Sequence, residues 1–226
     1  MSVDLVGTVH APVPLDALVA TAREMSALML GLSTVPAIDV IADRRFDQGR
    51  VVDEGRRLVH RELGTVLVGA CGSGSLPGTA RRGGVAPGGS PTGHDLAFRL
   101  ADSEDMVGLI EWDPCELSDQ DAPQVHREPV DAVFTPTRTC VGVVTATALA
   151  LAAGSLGGGE FVDAEIRMLE SPEPDPARMI ESTRLPDRGD DLAARCERYM
   201  RQFTRLNGWP REVRLPPHAG QRTRPD

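Results

Sequence analysis

Hydrophobic and polar positions alternate at the start of the chain and then change to helical spacing. Over residues 3–10, apolar side chains at positions 3, 5 and 9 alternate with polar ones, the period of two that is typical of a half-buried strand. Pro14 then opens a run in which apolar residues recur at helical spacing as far as Gly31. Proline is favoured in the first turn of a helix and glycine just beyond the last, so the pattern predicts a strand followed by a helix.

Further short runs predict strands. Residues 37–42 and 65–71 are rich in β-branched side chains, and the second run is apolar enough to occupy the centre of a sheet. Alternation over 96–100, followed by the apolar run 106–112, predicts a hairpin pair of strands, and 130–134 adds another. Clear alternation of this kind favours antiparallel pairing.

The segment CVGVVTATALALAAGSLGGGEFVDAEIRM, residues 140–168, joins a helix pattern to a strand pattern. Residues 140–153 are apolar nearly all round, which predicts a helix buried on most sides, and the glycines that follow would end it and turn the chain. Alternation over 162–168 then predicts a strand with one buried and one solvated face. No obvious catalytic residue lies on these elements, so the segment is interpreted as scaffold.

A final amphipathic helix is predicted where six apolar residues form one stripe between residues 192 and 206. Asp190 or Asp191 suits its N-terminus, because a short acidic side chain accepts hydrogen bonds from the first free backbone N–H groups. Asn207-Gly208 followed by Pro210 suits its end.

Strands and helices come mixed, which predicts an α+β fold with a mainly antiparallel sheet and about three helices packed on one face. We expect a single domain over residues 1–208. Within it, residues 72–94 hold eight glycines and three prolines with little to bury, which predicts a mobile loop. The arginine- and proline-rich residues 209–226 predict a disordered tail.

Composition excludes several classes of protein. All 24 basic residues are arginine, so the P-loop lysine of nucleotide hydrolases and the Schiff-base lysine of pyridoxal phosphate enzymes are absent. The N-terminal residues lack the basic and apolar regions of a secretory signal, and residues 140–153 are too short and too interrupted by threonine to span a membrane. The four cysteines have no C-x-x-C spacing. A soluble cytoplasmic protein with reduced thiols is expected.

Charge is concentrated in one part of the chain. Residues 101–135 contain ten acidic residues and one arginine, a net charge of −9 that equals the formal charge of the whole chain. An acidic surface with an aromatic anchor can steer and hold a basic protein, whereas it repels the phosphate backbone of nucleic acids. The candidate partner-binding residues are Glu111, Trp112, Asp113, Glu116, Asp119 and Asp121. A merely solubilising acidic loop would show the same pattern.

An enzyme is the alternative. Cys71 could act as a nucleophile with His94 or His126 as its base, because acyl transfer needs a thiolate activated by a neighbouring imidazole. Nothing in the sequence places these residues together, and a buried cysteine at the end of a strand has the same signature. The more ordinary interpretation is that the protein is not an enzyme.

No cofactor or metal site is predicted. The G-x-x-G-x-G pattern over residues 69–74 follows a strand, but prolines and further glycines replace the helix that a dinucleotide-binding turn requires. Asp39, Asp43 and Asp47 could gather magnesium, yet arginines lie among them, which favours a solvated and self-neutralising turn.

Residues 138–168, an alanine- and threonine-rich helix followed by Gly-Gly and a short strand carrying Val162-Asp163, resemble small uncharacterised actinobacterial α+β proteins associated with polymorphic-toxin loci. Such proteins often serve as immunity proteins. The resemblance implies an acidic protein that caps a basic toxin face, and it carries over no functional residues. It agrees with the leading hypothesis of a non-enzymatic module that inhibits a basic partner by occlusion.

Overall fold

The computed structural model describes residues 3–42, 45–47, 50–53, 55–69, 96–101, 103–112, 129–163, 165–186, 188–189, 191–206 and 210. The strands are β1 (Leu5–Val9), β2 (Val13–Pro14), β3 (Ile38–Ala42), β4 (Arg45–Asp47), β5 (Arg50–Asp53), β6 (Arg56–Arg57), β7 (Leu67–Val68), β8 (Leu96–Leu100), β9 (Met106–Trp112), β10 (Val130–Pro136) and β11 (Phe161–Val162). The helices are α1 (Leu15–Leu30), α2 (His60–Leu63), α3 (Cys140–Gly157), α4 (Pro176–Thr183) and α5 (Leu192–Arg201). The fold is α+β, as predicted.

Seven strands form one sheet in the order β11-β1-β10-β9-β8-β3-β6, and every neighbouring pair is antiparallel. The predicted hairpin pair is confirmed, because β8 pairs with β9. The first strand pairs with β10, more than 120 residues away, with Leu5 opposite Phe134. Two small two-stranded sheets, β2-β7 and β4-β5, stand apart from it.

Helix α3 lies between the sheet and the other helices, which explains why its sequence is apolar on every side. It packs on β1 and β10 and, on its other sides, against α1, α4 and α5. The hydroxyls of Thr145 and Thr147 donate to the carbonyls of Val141 and Val143, so these two polar groups are satisfied within the helix.

The same helix extends to Gly157, beyond the predicted end at residue 153. Over its 18 residues the mean hydropathy is 1.8, so by length and composition alone it could cross a membrane. In the fold, however, 83% of it is buried, which is the burial expected of a core helix. The Thr139 side chain accepts a hydrogen bond from the Gly142 N–H at its start, and Gly158 ends it in the left-handed conformation, with φ 70°.

Helices α1 and α5 begin as predicted. Pro14 occupies the N-cap position of α1 and Gly31 ends it with φ 64°, while the Asp191 carboxylate caps α5 by accepting from the Ala194 N–H. The end of α5 was predicted too late, because the helix stops at Arg201. Phe203 and Leu206, which completed the predicted apolar stripe, are still buried in the core without being helical.

Two other expectations were wrong. The run 65–71 does not supply a central strand: within its described residues, 65–69, the strand is Leu67–Val68, and it pairs with β2 outside the main sheet. The strand predicted over 162–168 is reduced to β11 at the sheet edge. The five helices of the described residues roughly fit the predicted number, although α4 was not itself predicted. The signal for α4 is its Asp175-Pro176 start, since the Asp175 carboxylate accepts a hydrogen bond from the Ala177 N–H.

Candidate functional site

Most residues singled out by sequence fall outside the described chain. This group comprises Cys71, His94, His126, Asp113, Glu116, Asp119 and Asp121. Glu111 is described: it is half-buried, and its carboxylate accepts a hydrogen bond from the Gly69 N–H at 2.9 Å. The Cα of Trp112 lies opposite that of Asp131 in the pairing of β9 with β10. Residues 113–129 connect the end of β9 to the start of β10, so they are attached to adjacent strands at the same end of the sheet.

The face of the sheet opposite α3 carries a row of four apolar residues on four adjacent strands. Val162 of β11 lies opposite Val6 of β1, Val6 opposite Val133 of β10, and Val133 opposite Ile110 of β9. We call these four residues the open-face row. Their sequence neighbours Leu5, Phe134 and Leu109 point to the helix-covered core, whereas Val133 is buried without belonging to that core cluster.

Both ends of the open-face row are exposed. Ile110 retains 39% of its accessible surface and Val162 retains 40%, and both are among the most exposed large apolar residues in the described chain. Isolated exposed apolar residues are ordinary on a protein surface, but a contiguous row on a sheet face is a common feature of interaction sites. The alternation over 162–168 counts Val162 on the apolar, buried side of its strand, and the runs 106–112 and 130–134 were not divided into faces, so no signal in the sequence singled out the row.

Carboxylates flank the open-face row on both sides. Asp131, which is exposed, accepts a hydrogen bond from the Thr8 hydroxyl at 3.0 Å. On the other side Asp4 accepts from the Thr135 hydroxyl at 2.7 Å, and the Glu165 carboxylate accepts from the Asp4 N–H at 3.3 Å. None of β1, β9, β10 and β11 contains an arginine. This end of the sheet is therefore apolar at its centre and acidic at its margins.

Arginines lie at the other end of the same sheet, where they are paired. Asp39 of β3 is 8% exposed and lies 2.5 Å from the Arg57 guanidinium and 3.9 Å from that of Arg99. The prediction of a solvated, self-neutralising turn is wrong for Asp39, which is buried in β3 and is paired with arginines of β6 and β8 rather than with its neighbours in the sequence. Of the two other aspartates weighed as magnesium ligands, Asp43 and the Asp47 side chain lie outside the described residues.

Within the described residues, no three histidine, cysteine, aspartate or glutamate side chains come together in a way that could hold a metal ion. Two of the four cysteines, Cys140 and Cys196, are described, and the side chains of both are buried in the core. Comparison with known proteins gives no further guide: no family model, curated protein or solved structure matches the chain.

Proposed function

We propose that this protein is a non-enzymatic binding module that occludes a basic partner protein with the open face of its sheet. The observation that carries the proposal is the open-face row, exposed at both ends and flanked by Asp4, Asp131 and Glu165. Apolar side chains inside a charged margin are the usual arrangement of a protein interface. The partner's matching surface would carry arginine or lysine around an apolar contact.

The two kinds of residue would make different contributions to binding. Full burial of a valine or isoleucine side chain is worth about 1.5–3 kcal/mol, so covering the exposed two-fifths of Ile110 and Val162 would contribute roughly 1 kcal/mol each. The carboxylates would mainly accelerate association, because complementary charge steers the encounter and salt screens it. We therefore expect the affinity to depend on the open-face row, and the salt dependence of the association rate to depend on the carboxylates.

The acidic segment 113–128 supports the same surface. It follows Trp112, the last residue of β9, and is connected through Pro129 to Val130, the first residue of β10, and it holds Asp113, Glu116, Asp119 and Asp121. A basic partner seated on the open face would lie within reach of this segment's attachment points. The resemblance of residues 138–168 to immunity-type proteins favours a toxin as that partner, held inactive by occlusion in the cytoplasm.

The test is affinity capture from lysate of the source cell, followed by titration of the purified captured protein. Ile110→Thr with Val162→Thr keeps the β-branched shape and removes apolar surface, and we expect it to weaken binding by about tenfold or more. Val59→Thr is the matched control, since Val59 is 50% exposed elsewhere on the molecule. Asp131→Asn keeps the acceptor for Thr8 and removes the charge, so it should slow association at low salt.

The outcomes separate the hypotheses. The proposal would be supported if a basic protein is captured by wild type, by the Val59→Thr variant and by a Cys71→Ala variant. The Ile110/Val162 double variant should capture the same protein only weakly. Reversal of Glu116, Asp119 and Asp121 to Arg measures the contribution of the acidic segment. A captured protein that binds the double variant as well as wild type would refute a role for the open-face row.

A further inference from the structure

We propose that a cleft at the β11 edge of the sheet binds a zwitterionic α-amino acid with an apolar side chain. This site is separate from the open-face row. We call it the edge cleft; it has a volume of about 350 Å³. Its lining residues are Phe161, Asp163, Arg167, Leu169, Glu170, Pro172, Glu173, Met179 and Arg205.

The size and the floor of the edge cleft suit a small ligand with an apolar group. Ligand sites generally run from about 300 to 1,000 Å³, so this cleft is at the small end of the range. Phe161 and Met179 are buried side chains, 4% and 1% exposed, and the half-buried Leu169 lies beside them. Together they form an apolar floor beneath a charged rim.

One wall of the edge cleft is a fixed loop. The Asp163 carboxylate accepts hydrogen bonds from the backbone N–H groups of Ile166, Arg167 and Met168 at 2.9, 3.1 and 2.8 Å. Ile166 and Met168 are buried, which anchors the loop from below. The carboxylate of Asp163 is thus engaged in shaping the wall.

Arg167 is held in an unfavourable backbone conformation within this loop. Its φ is 61°, and it is the only residue other than glycine with positive φ in the described chain. Glycine or asparagine adopts this region more easily, and strain of this kind tends to collect at functional sites. The Arg167 side chain is exposed and adds nothing to the core. An arginine at this position is therefore better explained by what its guanidinium can bind.

The charges on the rim are unevenly satisfied. Glu170 lies 3.1 Å from the Arg205 guanidinium, so those two groups neutralise each other. In the part of the chain that the structure describes, the Arg167 guanidinium has no carboxylate partner, and Glu173 has only the Asp175 backbone N–H, at 3.2 Å. One cation and one anion on the same rim remain without a counter-charge.

An amino acid supplies both missing charges. Its carboxylate would accept two parallel hydrogen bonds from Arg167, the geometry that a guanidinium offers to a carboxylate. Its ammonium would pair with Glu173, and its apolar side chain would cover Phe161 and Met179. A ligand with only an anion would leave Glu173 unpaired, and one with only a cation would leave Arg167 unpaired.

The full-length protein labelled with ¹³C at the methionine methyl groups allows a direct test. The chain has seven methionines, and a Met179→Leu variant assigns the signal of the one that lines the cleft. L-Leucine is the probe. We expect it to shift the Met179 methyl signal saturably, whereas 4-methylpentanoate, which lacks the ammonium, and isopentylamine, which lacks the carboxylate, should bind at least about tenfold more weakly.

Two variants test the residues assigned to the ligand. Arg167→Gly removes the guanidinium and relieves the positive φ, so it should keep or raise the melting temperature while weakening leucine binding by about tenfold or more. Glu173→Gln should weaken it similarly. Arg188→Gly, at an exposed arginine outside the cleft, should bind leucine as wild type does. No saturable shift at Met179, or equal binding by the Arg167→Gly variant or by the singly charged probes, would overturn the proposal.

Discussion

Substitution of Gly7 by alanine is expected to force α3 away from the sheet. A Cβ at this position would lie 2.4 Å from the carbonyl oxygen of Ala150, 2.8 Å from the Ala153 Cβ and 3.1 Å from the Gly154 nitrogen. These are mainly backbone atoms of the helix, so no rotamer change can relieve the contact. A relaxed C···O contact is about 3.3 Å or longer, and the helix would therefore have to shift by roughly 1 Å.

The cost follows from that shift. A gap of 0.5–1 Å forfeits about a quarter to a half of the dispersion energy of the contacts it opens, and overpacking in cores costs about 1–3 kcal/mol. Because α3 also supports α1, α4 and α5, we expect the upper end, about 3 kcal/mol. In a chain of this size that corresponds to a melting temperature lower by about 6–12 °C.

Gly108→Ala is the matched control, because it makes the same change in another strand of the same sheet. Its Cβ would meet only the Thr135 carbonyl oxygen, at 4.0 Å. We expect a neutral effect or a gain of up to about 1 kcal/mol, since alanine restricts the unfolded chain. Urea unfolding of both variants measures the difference. If Gly7→Ala unfolds within about 0.5 kcal/mol of wild type, the close approach of α3 to β1 is not required for stability.

Two further predictions concern polar groups in the core. Arg195 is 5% exposed, and its Nε donates a hydrogen bond to the Leu30 carbonyl at the end of α1. Arg195→Met should therefore lower the free energy of unfolding in urea by about 2 kcal/mol. An unchanged free energy of unfolding would contradict a capping role for Arg195. Burial raises the pKa of Tyr199, the only tyrosine, so its proton stays bound in the folded state above pH 10 and is lost from the unfolded state. The free energy of unfolding should then fall by about 1.4 kcal/mol per pH unit above roughly pH 10, and the Tyr199→Phe variant should lack this slope. Tyrosinate absorbance in the folded protein near pH 10 would refute this prediction.

The elements that could be predicted from the sequence are those in which the pattern of apolar residues matches the pattern of burial. In α1 and β1 the periodicity of apolar residues matches the face that is buried, and in α3 the absence of a polar side matches burial all round. The predicted strand over 162–168 shows how the same signal misleads. Ile166 and Met168 are buried at alternate positions, but the Asp163 carboxylate takes three backbone N–H groups that a sheet would need.

What could not be predicted depends on pairing between distant residues. The sequence does not specify that β1 lies between β11 and β10, and without that order Val6, Val133, Ile110 and Val162 are four unrelated outward positions. The edge cleft has the same origin. Its lining comes from β11, the loop after it, α4 and the residues that follow α5, and no local motif connects them.

The open-face row and the edge cleft lie on opposite sides of β11 and are joined by one short loop. Val162 belongs to the row and Phe161 to the cleft, because neighbouring residues of a strand face opposite ways. The loop presents Glu165 to Asp4 on one side and Arg167 to the cleft on the other. Of the residues changed to test the row, Ile110, Asp131 and Val162 are on β9, β10 and β11, whereas Arg167 and Glu173 come after β11 in sequence. Two independent sites would be established if variants of the row lose partner binding but still bind leucine, and variants at Arg167 and Glu173 lose leucine binding but still bind the partner.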